Sequence, residues 1–131
     1  MSVNTELQKK IDAVKTLLLD IGNDYTPASF ANSFGAEDMV LTDLICKHAP
    51  AIEIFTLDTG RLPAETYNLM QETLRRYGQR IIPYFPEAPA VEKYLREHGP
   101  NAFYDSVELR KLCCHIRKVE PLKRALKGKK A

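Results

Sequence analysis

An α/β fold, with a parallel sheet flanked by helices on both faces, is what this chain predicts, and three observations carry that expectation. Stretches of strand character at 27–34, 51–57 and 80–84 alternate with stretches of helical periodicity. The middle stretch, Ala51-Ile-Glu-Ile-Phe-Thr-Leu, is largely apolar, as parallel strands buried on both faces are. Glycine-bearing loops follow the first two strands directly, and right-handed crossovers would bring both loops to one edge of the sheet.

Taken in order, Leu7, Ile11, Val14, Leu17, Leu18 and Ile21 recur at helical spacing and predict an amphipathic helix over 5–21. Gly22-Asn23 reads as its stop. After the first strand, Gly35-Ala-Glu-Asp opens a helix bearing Met39, Val40, Leu41, Leu44 and Ile45, with Cys46 read as a packing residue. After the second strand comes Asp58-Thr-Gly-Arg-Leu-Pro63, then a helix over 63–77 with Tyr67, Met70, Leu74 and Tyr77 facing inward, ended by Gly78. Pro83 marks the third strand's end or an edge position. A helix over 90–98 stops at Gly99-Pro100, with His98 as a C-terminal capping residue. The next starts at Asp105 or Ser106, passes through Cys113-Cys114 and reaches Val119. Pro121 opens a further helix over 121–127, closed by Gly128, and Lys129-Lys130-Ala131 look frayed. The chain thus divides into a helix at 1–24, an α/β core at 25–109 and a basic Cys-Cys helical segment at 110–131, all within one domain of 131 residues.

The charge balance of +2 is unevenly placed, with nine Lys/Arg and one acid, Glu120, within residues 110–131. That asymmetry suggests an anionic partner for the C-terminal segment, although a solvated lysine cluster would look the same in composition. No apolar run approaches the roughly 20 residues a membrane span needs. The opening Met1-Ser-Val-Asn-Thr-Glu lacks an apolar signal region, so export is not expected. Three cysteines, two of them adjacent, make no disulfide framework. They favour a reducing cytoplasm and a metal or redox role for the pair.

A strand feeding a turn with Ser33 and Gly35, and then a helix, is a ready anion site, because free N–H groups of the first turn point outward and glycine admits close approach. No lysine follows the glycine, so the turn is not the usual nucleotide P-loop. Glu37 and Asp38 suit the helix dipole, and Asp38 could accept from a ribose hydroxyl. Asp58, Thr59, Gly60 and Arg61 supply an acid, a hydroxyl, a glycine and a cation where an open α/β sheet lines its ligand crevice. Each feature also has a structural reading as an ordinary junction or turn.

Three motifs then occur in order: Ser33-Phe-Gly-Ala-Glu-Asp-Met-Val-Leu41, Leu57-Asp-Thr-Gly-Arg-Leu62 and Cys113-Cys-His-Ile-Arg-Lys-Val-Glu-Pro-Leu-Lys-Arg-Ala-Leu126. Together they resemble the assimilatory adenylyl-sulfate (APS) reductases, relatives of the phosphoadenylyl-sulfate (PAPS) reductases, from about residue 25 onward. The resemblance implies an adenine nucleotide α-hydrolase-like (PP-loop) fold. It implies reduction of adenylyl sulfate to sulfite and AMP through a cysteine S-sulfonate, with thioredoxin or glutaredoxin as donor. By motif, Ser33, Phe34, Gly35, Ala36, Glu37 and Asp38 would line the phosphosulfate and ribose. Leu57, Asp58, Thr59, Gly60 and Arg61 would frame the nucleotide. Arg117 and Lys118 would face sulfate and cluster, Lys118 as an electrostatic helper, and Arg124 would belong to the basic lining. Cys113 and Cys114 would supply two of four thiolates on a [4Fe–4S] cluster.

The chain departs from that family at its end. It stops at Ala131 without the second Cys-x-x-Cys pair or the Glu-Cys-Gly-Leu-His segment that carries the nucleophile. A truncated fragment, inactive alone, is therefore expected, with the attacking cysteine beyond Ala131. The resemblance further implies a cytoplasmic protein that binds neither nucleic acid nor membrane and could form a homo-oligomer. Two alternatives stand beside this reading: a PAPS reductase, and a non-redox adenine-nucleotide module of the PP-loop type. Nucleic-acid binding through the basic tail is a third, with no motif behind it.

Overall fold

The computed structural model describes residues 4–78 and 81–131. Three parallel strands, β1 (Ser29–Ala31), β2 (Glu53–Leu57) and β3 (Ile82–Tyr84), lie in the order β1-β2-β3. Ser29 pairs with Glu53, and Phe55 with Ile82. The expected strand at 80–84 begins two residues later, and its Arg80 lies outside the described residues. β1 is shorter than the expected 27–34, although its ladder bonds reach from Ala28 to Asn32. Beyond Asn32 the chain turns away through Phe34, whose φ of 65° no strand can hold. Pro83 lies on a strand at the sheet margin, where its missing N–H costs no ladder bond to a further neighbour.

Helices α1 (Thr5–Asp24), α2 (Ala36–His48), α3 (Ala64–Tyr77) and α4 (Ala88–His98) alternate with the strands. α1 starts on Asn4, whose side chain accepts from the Leu7 N–H at 2.7 Å. Alternation along β2 turns Ile54 and Phe55 to opposite faces. The Ile54 side is covered by α1 and α2, in a core of Leu18, Ala28, Ile45, Ala49, Ile52 and Ile54. Phe55, fully buried, meets the Tyr84 ring edge-on at 5.8 Å on the other side.

That second side is closed by the C-terminal helices. A 3₁₀ turn (Ala102–Tyr104) leads to α5 (Val107–Cys114), capped by Ser106, whose hydroxyl accepts from the Leu109 N–H at 3.1 Å. α5 runs through a π-helical turn (His115–Val119) into α6 (Glu120–Leu126), with Pro121 and Ala125 buried. α6 contacts both β2 and β3. Among the described residues no helix is long and apolar enough to cross a membrane.

Five local expectations are corrected. Gly22 does not stop α1, which runs on to Asp24 and packs on α2, so the glycine sits inside the helix with room for a side chain in ordinary contact with Ala49. On α3 the buried position is Thr73, while Tyr67 and Leu74 are exposed, because the Tyr67 hydroxyl reaches out to the loop after β2. The helix expected at 90–98 begins at Ala88, with a proline in its first turn where no N–H is needed. Pro121 does not open a separate helix. It cannot donate to the Arg117 carbonyl and would crowd it in a regular helix, and the π turn, with the Glu120 N–H bonded to the His115 carbonyl, carries the helix past it. The tail is not frayed: the Lys130 N–H donates to the Pro27 carbonyl at 2.8 Å and the Ala131 carbonyl accepts from the Ser29 N–H at 2.9 Å. The Lys129 ammonium adds an ion pair with Glu53 at 3.2 Å.

Candidate functional site

The turn after β1 is built by its own side chains. Asn32 is buried; its Oδ1 accepts from the Phe34 N–H at 2.7 Å and its Nδ2 donates to Thr42 Oγ1 at 3.0 Å. The Thr42 hydroxyl donates in turn to the Asp38 carbonyl at 2.8 Å. Asp38 Oδ2 accepts from the Ser33 N–H at 2.8 Å and the Ser33 hydroxyl at 2.6 Å. These bonds hold Phe34 in its left-handed conformation and set Gly35 as the residue before α2, with no side chain capping it.

The loop after β2 repeats the device. Asp58 is buried, and its Oδ1 accepts from the Gly60 N–H and the Tyr67 hydroxyl, each at 2.9 Å. The hydrogen bond to Asp58 pushes the Tyr67 phenol above its usual range and keeps it a donor. Gly60 has φ 79°, and a Cβ on it would meet Arg117 Nη1 at 3.3 Å, so its glycine serves both conformation and close approach. Between the two loops lies a cleft of about 260 Å³, lined by Asn32, Ser33, Thr56, Leu57, Thr59 and Lys118 among others.

A second cleft, of about 390 Å³, adjoins it and shares Thr59 and Lys118. Half-buried Cys113 and exposed Cys114 lie in it, with Phe103 and Tyr104 as a wall and Arg61, Arg110, Arg117 and Lys118 as cations. Among the described residues none of these four cations forms an ion pair with a carboxylate. Two arginines tie the clefts together. Arg117 donates to the Thr59 carbonyl, and Arg61 donates to the Pro100 carbonyl and, at 3.2 Å, to Asn101 Oδ1. Uncompensated positive charge beside two thiols and a hydroxyl-lined pocket is an arrangement for an anion with a larger neutral part.

Residues 27–131 match the family model of the phosphoadenosine phosphosulfate reductase domain. The chain belongs to the phosphoadenosine phosphosulfate reductase family. It is 50% identical over 125 residues to the adenosine 5′-phosphosulfate reductase of Burkholderia cepacia, covering 95% of this chain and 50% of that protein. It is 46% identical over 131 residues to the enzyme of the same name from Allochromatium vinosum, covering 100% of this chain and 51% of the relative. The chain therefore spans about half the length of the curated relatives it matches. In fold it is similar to the crystal structure of phosphoadenylyl-sulfate reductase from Candida auris, a phosphate complex, with a TM-score of 0.68, 23% identity, and coverage of 97% of this chain and 64% of that one. The parallel α/β sheet expected from sequence is the fold of that reductase.

Within this reductase-family chain, Ser33, Leu57, Thr59, Arg61, Cys113, Cys114, Arg117 and Lys118 gather around the two clefts. Asp38, Asp58 and Gly60 serve the loops that shape them. Phe34 is buried, and Ala36 and Glu37 sit exposed in the first turn of α2, lining neither cleft. Arg124 stands apart: its Nε meets Glu120 at 2.7 Å and Glu87 at 3.6 Å, and its guanidinium donates to the Phe85 carbonyl. The sequence reading missed Asn32, Thr56, Leu62, Thr66, Phe103, Tyr104 and Arg110 as lining or supporting residues. The adjacent aromatic pair ahead of the cysteines was a usable signal for the wall, and an asparagine just before Ser33 was one for a side-chain-built turn.

A [4Fe–4S] cluster takes four thiolates. Cys113 and Cys114 fit half of that set, and the third cysteine, Cys46, packs against the core on α2 with its thiol pushed up by burial and by Asp43. Among the described residues no group of three or more His, Cys, Asp or Glu side chains is placed to hold a metal. The residues of this chain do not by themselves fit a cluster.

Proposed function

We propose that this chain forms the substrate site of an adenylyl-sulfate reductase of sulfate assimilation, acting in the cytoplasm. The observation that carries the reading is the pair of adjoining clefts sharing Thr59 and Lys118. The first offers hydroxyls, an amide and apolar walls, suited to a nucleoside. The second offers cations, suited to the phosphosulfate. A helix terminus contributes about 0.3–1 kcal/mol per charge, rising to roughly 2 when partly buried, whereas micromolar binding needs about 8 kcal/mol. The turn at 33–38 therefore needs Arg117 and Lys118 to hold the ligand, with Arg124 bracing α6 against Phe85.

In the proposed reaction a cysteine thiolate attacks the sulfate sulfur, the bond from sulfur to the bridging oxygen breaks with its electron pair leaving on AMP, and a cysteine S-sulfonate forms. Thioredoxin or glutaredoxin thiols then release sulfite, being oxidised to a disulfide as they do. Lys118, adjoining both clefts, would offset the charge that develops on the departing phosphate oxygen. The attacking thiol, and two cysteines that join Cys113 and Cys114 as cluster ligands, would come from polypeptide outside residues 1–131. The neutral lining of the first cleft, Lys118 aside, favours an unphosphorylated ribose, so adenylyl sulfate is preferred here over its 3′-phosphorylated form.

Calorimetric titration of residues 1–131 with AMP, adenylyl sulfate and phosphoadenylyl sulfate tests the site. Binding of the first two, and no sulfite on adding reduced thioredoxin, is the expected result. Failure to bind any of the three overturns the site, sulfite release overturns the assignment of the attacking thiol, and tighter binding of the 3′-phosphorylated nucleotide favours a PAPS reductase.

A further inference from the structure

Arg61 belongs to a loop expected to frame the nucleotide, yet its guanidinium is committed elsewhere. One Nη donates to the Pro100 carbonyl, the other to Asn101 Oδ1 at 3.2 Å, and Cζ stands 4.8 Å from the centroid of the Phe103 ring. Phe103 packs in turn on Tyr104, ring centroids 4.2 Å apart. The bonds of the 3₁₀ turn itself are local, Tyr104 N–H to the Asn101 carbonyl and Asp105 N–H to the Ala102 carbonyl, and Tyr104 is 77% exposed. The planar fork of an arginine can bond two acceptors while stacking on a ring, which a lysine cannot do. Arg117 makes the reverse tie, from the thiol helix to the Thr59 carbonyl. We propose that Arg61 is a positioning residue, holding Phe103 and Tyr104 as a fixed wall over the half-buried Cys113. The inference deepens the reading above and rests on it in one respect, that the thiol cleft is the working end of the site.

The test is the rate of iodoacetamide alkylation of each cysteine, resolved by peptide mass spectrometry, in residues 1–131 and in Arg61→Lys, Phe103→Leu and the double variant. Cys46, in α2 and away from both clefts, is the internal standard for general loosening. Alkylation of Cys113 is expected to rise about two- to fivefold in each single variant, the fold-change equivalent of one exposed cation–π contact. The double variant should be no faster than the faster single one, because both remove the same contact, and the Cys46 rate should stay constant. A parallel rise at Cys46 and Cys113, an unchanged Cys113 rate, or additive effects in the double variant would each overturn the wall. AMP binding is measured on the same preparations. If the unsubstituted chain does not bind AMP, the substrate-site reading falls and the wall's role falls with it; if it binds AMP and the Cys113 rate is indifferent to Arg61, the wall alone is wrong.

Discussion

The turn at 32–38 and the segment from Ser106 to Leu126 spend their charges in opposite ways. In the first, Asp38 is bonded to the Ser33 amide and hydroxyl, and in the neighbouring loop Asp58 is bonded to Gly60 and Tyr67. Carboxylates there hold backbone in shape. In the second, Arg110, Arg117 and Lys118 line a cleft with no acid partner among the described residues. Negative charge is used for scaffolding, while the cleft's positive charge is left without ion pairs among the described residues. The difference explains how a protein with a net charge of only +2 can present a strongly cationic cleft.

Substituting Lys118 tests that division most severely, because it lines both clefts. A hydrogen bond to a charged group is worth about 1.5–3 kcal/mol, so Lys118→Ala should weaken adenylyl sulfate binding about tenfold to a hundredfold in calorimetry. Its melting temperature should hold, since no described residue depends on the ammonium for an ion pair. Asn32→Leu reverses the pattern. It strands the buried Phe34 N–H, while the Thr42 hydroxyl loses a donor but keeps its own bond to the Asp38 carbonyl, and urea unfolding should show a loss of about 1–3 kcal/mol, the cost of leaving such a group unsatisfied.

A pair outside both regions gives a smaller, pH-dependent control. Asp43 accepts from the Tyr77 hydroxyl at 2.6 Å, and that bond, foremost, lowers its pKa from the ordinary 3.8. A lowered carboxyl stabilises the fold above its unfolded pKa and loses that contribution as the pH falls through the folded one. The same bond, foremost, raises the Tyr77 pKa from 10.0, so the tyrosine's contribution is full below that unfolded value and is lost as alkali carries the pH up through the raised one. Tyr77→Phe should flatten the acid limb of the stability curve below about pH 4 and the alkaline limb above about pH 10. Nucleotide affinity at neutral pH should be unchanged. Among the cations a small effect on binding is expected from Arg124→Ala, less than about threefold in Kd, because Arg124 lines neither cleft and is engaged with Glu120. A larger loss would extend the ligand site to α6.

Sequence pattern carried the alternation of strands and helices, the parallel sheet and the two glycine-bearing loops, because apolar runs and turn residues are local signals. It also carried the meeting of Ser33 with Thr59, since crossover handedness brings successive loops to one edge, whereas the place of Lys118 beside them was legible only through the motif resemblance. What stayed hidden depends on contacts far apart in the chain. The reach of Arg61 to the Pro100 carbonyl and Asn101 shows only in the fold. Tyr67 reads as core until Asp58 claims its hydroxyl. Gly22 reads as a stop until α1 is seen packed along α2 and running on to Asp24. In each case a distant partner overrode the local preference.

The π-helical turn has a consequence for register. It puts one surplus residue between the cysteine pair and α6, at the place where Arg117 and Lys118 enter the clefts. Deleting a single residue from that turn would change helical phase by about 100°, one step of a regular helix. The thiols and α6 could then no longer both keep their present neighbours. A chain one codon shorter at this spot would retain every residue type the chemistry calls for and still aim its cations away from its sulfur atoms.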